Sequence, residues 1–209
     1  MIRQPQVEFW YEFASTYSYL AAMRIEEAAA QAGVVLLWRP FLLGPVFKAQ
    51  GMETSPFAPY PAKGRYMWRD MERETARLGL PFYCPKTFPQ NGLTAARVAL
   101  LGIERGWTPA FTKAVYTAEF GECRDIADPE VLTGILTGLG LEAEAVLAEA
   151  QADANKMRLR RMGDEVQSRG LFGAPTFFTE DGEMFWGNDR LEQALNWAVA
   201  QARRSDWPV

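Results

Sequence analysis

The sequence predicts an α/β fold in which one α/β domain is interrupted by an all-helical insertion. Three observations carry this reading. The N-terminal segment reads as strand, helix, strand, and the C-terminal segment reads as a hairpin followed by a helix. Between them lies a long stretch of helical pattern, punctuated by proline and glycine. The boundaries this implies are 1–45 and 165–209 for the discontinuous α/β domain and 46–164 for the insertion.

Val7, Phe9, Tyr11 and Phe13 alternate with Glu8, Trp10 and Glu12, the period of a strand with one fully apolar face. The chain turns at Ser15. Residues 17–32 are rich in Ala, Leu, Met and Glu and are followed by Gly33, so Ser15 or Thr16 is the expected N-cap and Gly33 the C-terminal stop. Residues 34–38 form a second strand, whose continuous hydrophobicity predicts burial on both faces. Residues 51–63 carry Pro56, Pro59 and Pro61 and read as a long loop, a type of segment that often serves function. Helices follow over 66–78, closed by Gly79, over 93–104, closed by Gly106, and over 109–120. Two more start at Asp128-Pro129-Glu130 and near Glu142, the first with an N-cap residue ahead of a first-turn proline. Residues 176–179 and 183–186 flank Glu180-Asp181-Gly182 as a hairpin, and a last helix runs over about 189–202.

The chain has 209 residues, 48% of them hydrophobic, which is ample for a packed core. A net charge of -4 leaves no basic footprint for nucleic acid, so nucleic acid is not an expected partner. The first residues, Met1 to Gln6, are mostly polar, with no sign of a signal peptide, and no apolar stretch approaches the roughly 20 residues that span a bilayer. The expected location is cytoplasmic, without membrane association. Cys84 and Cys123 sit in no metal or redox motif and read as two ordinary reduced thiols. The chain contains no histidine. A Ser-His or Cys-His nucleophile, a histidine base and a His-containing zinc site are thereby excluded, and no metal is expected.

Five separated segments share one resemblance: Ser15-Thr16-Tyr17-Ser18-Tyr19-Leu20, Trp38-Arg39-Pro40-Phe41-Leu42-Leu43-Gly44, Pro61-Ala62-Lys63-Gly64-Arg65-Tyr66, Ala174-Pro175-Thr176-Phe177 and Gly187-Asn188-Asp189-Arg190-Leu191. In that order they span nearly the whole chain. The sequence resembles the 2-hydroxychromene-2-carboxylate isomerases and the kappa-class glutathione transferases, which share a DsbA-like fold. The resemblance implies a thioredoxin-like domain with an inserted helical domain, glutathione as the thiol cosubstrate, a small aromatic carboxylate or electrophile as substrate, and a homodimer. Three activities stay open: isomerisation by thiolate addition and elimination in aromatic degradation, conjugation by a kappa-like transferase, and non-catalytic binding of glutathione or a peptide.

Thioredoxin-type proteins carry Cys-x-x-Cys where this chain has Ser15 and Ser18, so a disulfide cannot form there. At a helix start, free N–H groups and the dipole favour negative charge, and Ser15 is expected to activate glutathione sulfur by donating a hydrogen bond to it. Ser18 is expected to be structural, its hydroxyl bonding back to the preceding backbone. The resemblance implies a cis bond before Pro175, with the Ala174 backbone pairing with glutathione as a short added strand. It also implies that Asp189 meets the γ-glutamyl ammonium, that Asn188 and helix N–H groups meet its carboxylate, and that Lys63 meets the glycyl carboxylate; Asn188 or Asp189 could equally be an N-cap. Thr16, where the family often has proline, and Tyr17 are expected at the exposed tip of the turn. Tyr17 either contacts substrate or packs between the domains, and Asn91 either contacts substrate or caps the helix that follows. Met52, followed by Glu53 and Thr54, stands where the family commonly has an asparagine, which bears on substrate recognition.

Overall fold

The computed structural model describes residues 4–52, 57 and 59–205, with the side chains described up to 203. Its centre is a four-stranded sheet in the order β2-β1-β3-β4. Here β1 is Gln6–Tyr11, β2 is Val35–Pro40, β3 is Thr176–Thr179 and β4 is Met184–Trp186. β1 and β2 run parallel and are joined by helix α1, Thr16–Ala32, whereas β3 is antiparallel to both β1 and β4. Parallel neighbours need a crossover of this length, and antiparallel ones need only a turn. The turn is closed by Gly182 at φ +83°, where the Gly182 N–H donates to the Thr179 carbonyl at 2.9 Å.

Ser15 is the N-cap of α1, and Gly33, at φ +71°, ends the helix in the left-handed conformation that glycine adopts without strain. The intervening region supplies α2 (Leu43–Ala49), α3 (Pro61–Leu78), α4 (Leu93–Arg105), α5 (Thr108–Tyr116), α6 (Pro129–Gly138), α7 (Ala143–Ala150) and α8 (Asp153–Ser168). Helix α9, Leu191–Ser205, closes the chain and packs beside α1. The expected boundary between residues 164 and 165 falls inside α8, whose Val166 is buried against the sheet.

One apolar core runs from the sheet into the helices. Phe9 stacks on Phe177 at 5.6 Å, Tyr11 meets Trp38 edge-on at 5.6 Å, and Phe13 meets Phe111 at 6.2 Å. The Tyr11 hydroxyl satisfies itself against Thr112 Oγ1 at 2.8 Å. Each such fully buried ring stabilises the fold by about 1.5–3 kcal/mol relative to exposure.

Several expectations are corrected. The other face of β1 is covered as well: Trp10 joins Phe41, Val46, Val166, Leu171 and Phe178 in a second cluster, because α2 and the end of α8 lie over it. β2 is an edge strand, with Val35 36% exposed, so it is not buried on both faces. Residues 43–49 are helical although their local pattern did not announce it, and Val46 holds this short helix to the sheet. α3 begins at Pro61, inside the expected loop, because proline is well suited to a first helical turn. α5 continues as a π-helical turn over Thr117–Gly121, and a 3-10 turn, Asn188–Arg190, precedes α9.

Candidate active site

Beyond β1 the chain passes through Glu12, Phe13 and Ala14 before α1 starts, and this short connection positions the site. Ser15 Oγ accepts the Ser18 N–H at 3.2 Å, capping α1, and the Ser15 N–H donates to the Glu12 carbonyl at 3.0 Å. Its hydroxyl donates to the Ala174 carbonyl at 3.1 Å, across 159 residues of sequence. The Ala174–Pro175 bond is cis, as expected, and so is Phe88–Pro89. Beside these groups lies a cavity of about 770 Å³. Small-molecule sites occupy roughly 300–1,000 Å³. Its walls are mainly apolar, with Leu43 and Phe47 from α2, Phe88 and Leu93, and the pair Phe172–Trp186, whose rings meet at 5.0 Å.

Ser15, Tyr17, Lys63, Asn91 and Ala174 all line this one cavity. The Tyr17 hydroxyl donates to Asp70 Oδ2 at 2.9 Å, tying α1 to α3, and burial together with that carboxylate holds the phenol above its ordinary value. Thr16 is buried at 1% exposure, so it is not at an exposed tip. Asn91 Oδ1 accepts the Leu93 N–H at 3.0 Å, steadying the start of α4. Lys63, in the first turn of α3, holds its ammonium 5.4 Å from the centre of the Phe57 ring. Met52 also lines the cavity, while Glu53 and Thr54 lie outside the described residues.

Pro175, Asn188 and Asp189 do not line the cavity, but they join the same corner through a 2.9 Å bond from the Gly187 N–H to the Pro175 carbonyl. Asn188 is buried, and Arg24 takes both its Oδ1, at 3.0 Å from Nε, and its carbonyl, at 2.5 Å. The Asp189 side chain is 74% exposed and lies 3.6 Å from Arg190. The Ser18 hydroxyl is buried facing the Tyr116 phenol, and among the described residues the expected bond back to the backbone is not made. Cys84 and Cys123 are free thiols, yet the fold brings them together: Cys123 Sγ donates to the Cys84 carbonyl at 3.7 Å. Among the described residues no His, Cys, Asp or Glu cluster is arranged to hold a metal, and no helix is long and apolar enough to cross a membrane.

Sequence reasoning missed Glu12. It lines the cavity at 8% exposure, and burial pushes its carboxyl up to about 7 against the opposing Ala14 N–H bond. Behind it Glu119, on the π-helical turn, is fully buried, and both its oxygens lack partners among the described residues. Burial holds that carboxyl well above the carboxylate range, with Glu12 adding to the rise. Alternation with Tyr11 and Phe13 puts Glu12 on the polar side of a strand. The signal that could have found it is its position in an apolar run three residues before a helix-start serine.

The sequence profile of the DSBA-like thioredoxin domain matches residues 6–196. The chain is 30% identical over 186 residues to a 2-hydroxychromene-2-carboxylate isomerase of Sphingobium xenophagum, covering 89% of this chain and 94% of that one. It is 25% identical over 207 residues to glutathione S-transferase kappa 1 of Caenorhabditis elegans, covering 91% and 89%. A solved 2-hydroxychromene-2-carboxylate isomerase superposes with a TM-score of 0.85 at 25% identity, covering 96% of this chain and 97% of that one. These relatives are enzymes. With the cis-Pro175 corner facing a helix-start serine and matches along nearly the full length, the chain belongs to the DSBA-like thioredoxin-domain family, in the group of the 2-hydroxychromene-2-carboxylate isomerases and kappa-class glutathione transferases.

Proposed function

We propose that the protein is a glutathione-dependent isomerase of the 2-hydroxychromene-2-carboxylate type, working in aromatic degradation. The observation that carries this reading is the meeting of Ser15, at the N-terminus of α1, with the Ala174 backbone beside a largely apolar cavity. The residues present fit glutathione. The Ala174 N–H is not taken by another group among the described residues, and the Ala174 carbonyl accepts from Ser15, so an extended peptide can pair there by exchanging that one bond. Lys63 supplies a cation for the glycyl carboxylate. Asp189 supplies a carboxylate for the ammonium, and the Asn188 side-chain amide keeps its N–H groups for the γ-glutamyl carboxylate.

When bound, glutathione supplies a thiolate that adds to the conjugated substrate and is later eliminated, so that a bond rotates while single and no net redox change occurs. Ser15 turns its hydroxyl from Ala174 to the sulfur once a peptide N–H replaces it on that carbonyl. A free thiol titrates near about 8.5, and this donated bond, with the first N–H groups of α1, favours its anion. The apolar walls hold the aromatic ring and exclude water, which strengthens these interactions. In this reading residues 1–45 and 165–209 form the thiol-binding domain, and the insertion 46–164 covers the substrate; the location is cytoplasmic, and the protein is a homodimer, as the resemblance implies.

Conjugation of an electrophile by a kappa-like transferase is the second reading. Met52 favours it, because a thioether in the cavity wall cannot offer the hydrogen bonds of an amide to a substrate carboxylate. Spectrophotometric assays of chromene isomerisation and of glutathione conjugation separate the two. Turnover in neither, with glutathione still bound, would leave a binding module.

A further inference from the structure

The thiol proton needs a destination, and the cavity offers one that the proposed chemistry has not used. Glu12 follows β1, lines the cavity and meets no cation among the described residues. Its carboxyl accepts the Ala14 N–H and reaches over Gly92, where a Cβ would stand 3.1 Å from Oε1. Glycine at 92 thus keeps the carboxyl's space open at the start of α4. The titratable groups around it are Tyr11 from β1, Tyr116 from α5, Glu119 from the π-helical turn, Tyr17 from α1, and Lys63 and Tyr66 from α3. Tyr116 donates to the Glu12 carbonyl at 2.8 Å and leaves the carboxyl alone.

We propose that Glu12 takes the thiol proton as glutathione enters the site and returns it when the thiolate is expelled. This rests on the glutathione reading. Glu12 receives the proton on a carboxylate oxygen as the S–H bond breaks, and the electron pair stays on sulfur, where the Ser15 hydroxyl meets it. On elimination the same proton goes back to sulfur, so atoms and electrons balance and nothing is oxidised. Other groups are unsuited. Tyr11, Tyr17 and Tyr116 are all held in the protonated phenol form by burial, the chain has no histidine, and Glu119 stays neutral deeper in the protein. An acid–base group works best when it titrates near the operating pH, and Glu12, pushed up to about 7, meets that condition.

The test counts protons. Glutathione is titrated calorimetrically into the full chain at mildly alkaline pH, in buffers of different ionisation enthalpy, and thiolate absorbance of the same complex is read. The wild type is expected to form thiolate with almost no proton released to buffer, because the negative sulfur beside Glu12 raises the carboxyl's proton affinity further and keeps the captured proton on it. Glu12→Gln keeps the shape and an acceptor for the Ala14 N–H, and should either release about one proton per thiolate, by charge balance, or lose the thiolate absorbance. Its turnover should fall roughly 10²–10⁴-fold. Glu119→Gln, or Glu12→Asp if Glu12→Gln does not fold, should keep the wild-type proton count. An equal proton count per thiolate in wild type and Glu12→Gln, with glutathione bound in both, would overturn the assignment of Glu12 while leaving the glutathione reading intact. Absence of any binding heat in the wild type would end the glutathione reading itself.

Discussion

Glu12→Gln should stabilise the folded protein at alkaline pH and do nearly nothing at acid pH. In the unfolded chain this carboxyl ionises at its ordinary value of 4.5, whereas burial in the folded chain moves it to about 7. At about 1.36 kcal/mol per factor of ten in the ionisation constant, holding the charge in the fold costs about 3 kcal/mol. The sign follows from proton counting. Between pH 4.5 and about 7 the native state binds more protons at this group than the unfolded state, so stability falls as pH rises through that window and the loss is complete above it. Glutamine carries no charge, so the variant escapes the loss. Urea unfolding of both proteins across this range should show a stability difference that is small below pH 4.5 and grows to about 3 kcal/mol in favour of glutamine above the Glu12 midpoint. Taking the difference cancels every group that does not interact with Glu12, whereas Glu119 and Tyr116, whose proton affinity the Glu12 charge raises, change together with it. A difference that does not change with pH would refute the reasoning, since it would mean that the carboxyl is hydrated in the folded state. A buried acid kept at such a cost to stability fits a role in the site.

Three further outcomes are expected. Ser15→Ala should leave glutathione affinity nearly intact while raising the bound-thiol pKa and slowing the reaction, and should cost about 1 kcal/mol of stability through loss of the α1 cap; thiolate absorbance across pH checks it, and Ser18→Ala, which removes a buried hydroxyl that does not line the cavity, should do much less. Asp189→Ala should weaken glutathione binding by about 1.5–3 kcal/mol, the range for a hydrogen bond to a charged group, and unchanged calorimetric affinity in a folded variant would remove the ammonium contact. Gly173→Ala places a Cβ 2.4 Å from Trp186 Nε1. Because Trp186 is 52% exposed it can swing aside, so tryptophan emission and glutathione affinity should change while thermal stability stays close to wild type.

What the sequence by itself determined are features whose causes are local. Ser15 and Gly33 bound α1 because one can accept an orphan N–H and the other can take a left-handed conformation, and both signals lie within a turn of the helix end. Asp128-Pro129-Glu130 starts α6 for the same reason, with Asp128 accepting the Glu130 N–H at 2.9 Å. Gly182 closes the hairpin that sets β3 beside β4. The separated family motifs also foretold the corner where Ser15 meets Ala174. Only the tertiary structure decided burial and partners. Alternation marks two faces of β1 but cannot say that α2 and the end of α8 cover the second one, which is why Trp10 reads as outward, nor that Glu12 lies beyond the strand against Gly92. Residues 34–38 are apolar throughout, yet among the described residues no strand pairs on the far side of β2, so hydrophobic content overstated its burial. Cys84 and Cys123 are distant in sequence and neighbours in space, because the backbone N–H of Tyr83 donates to the Phe120 carbonyl at 2.6 Å and draws the two segments together. The ionisation of Glu12 is the sharpest case, since a carboxyl's affinity for its proton is set by the water removed around it, and that water is displaced by residues such as Phe13 and Gly92 that only the folded chain assembles.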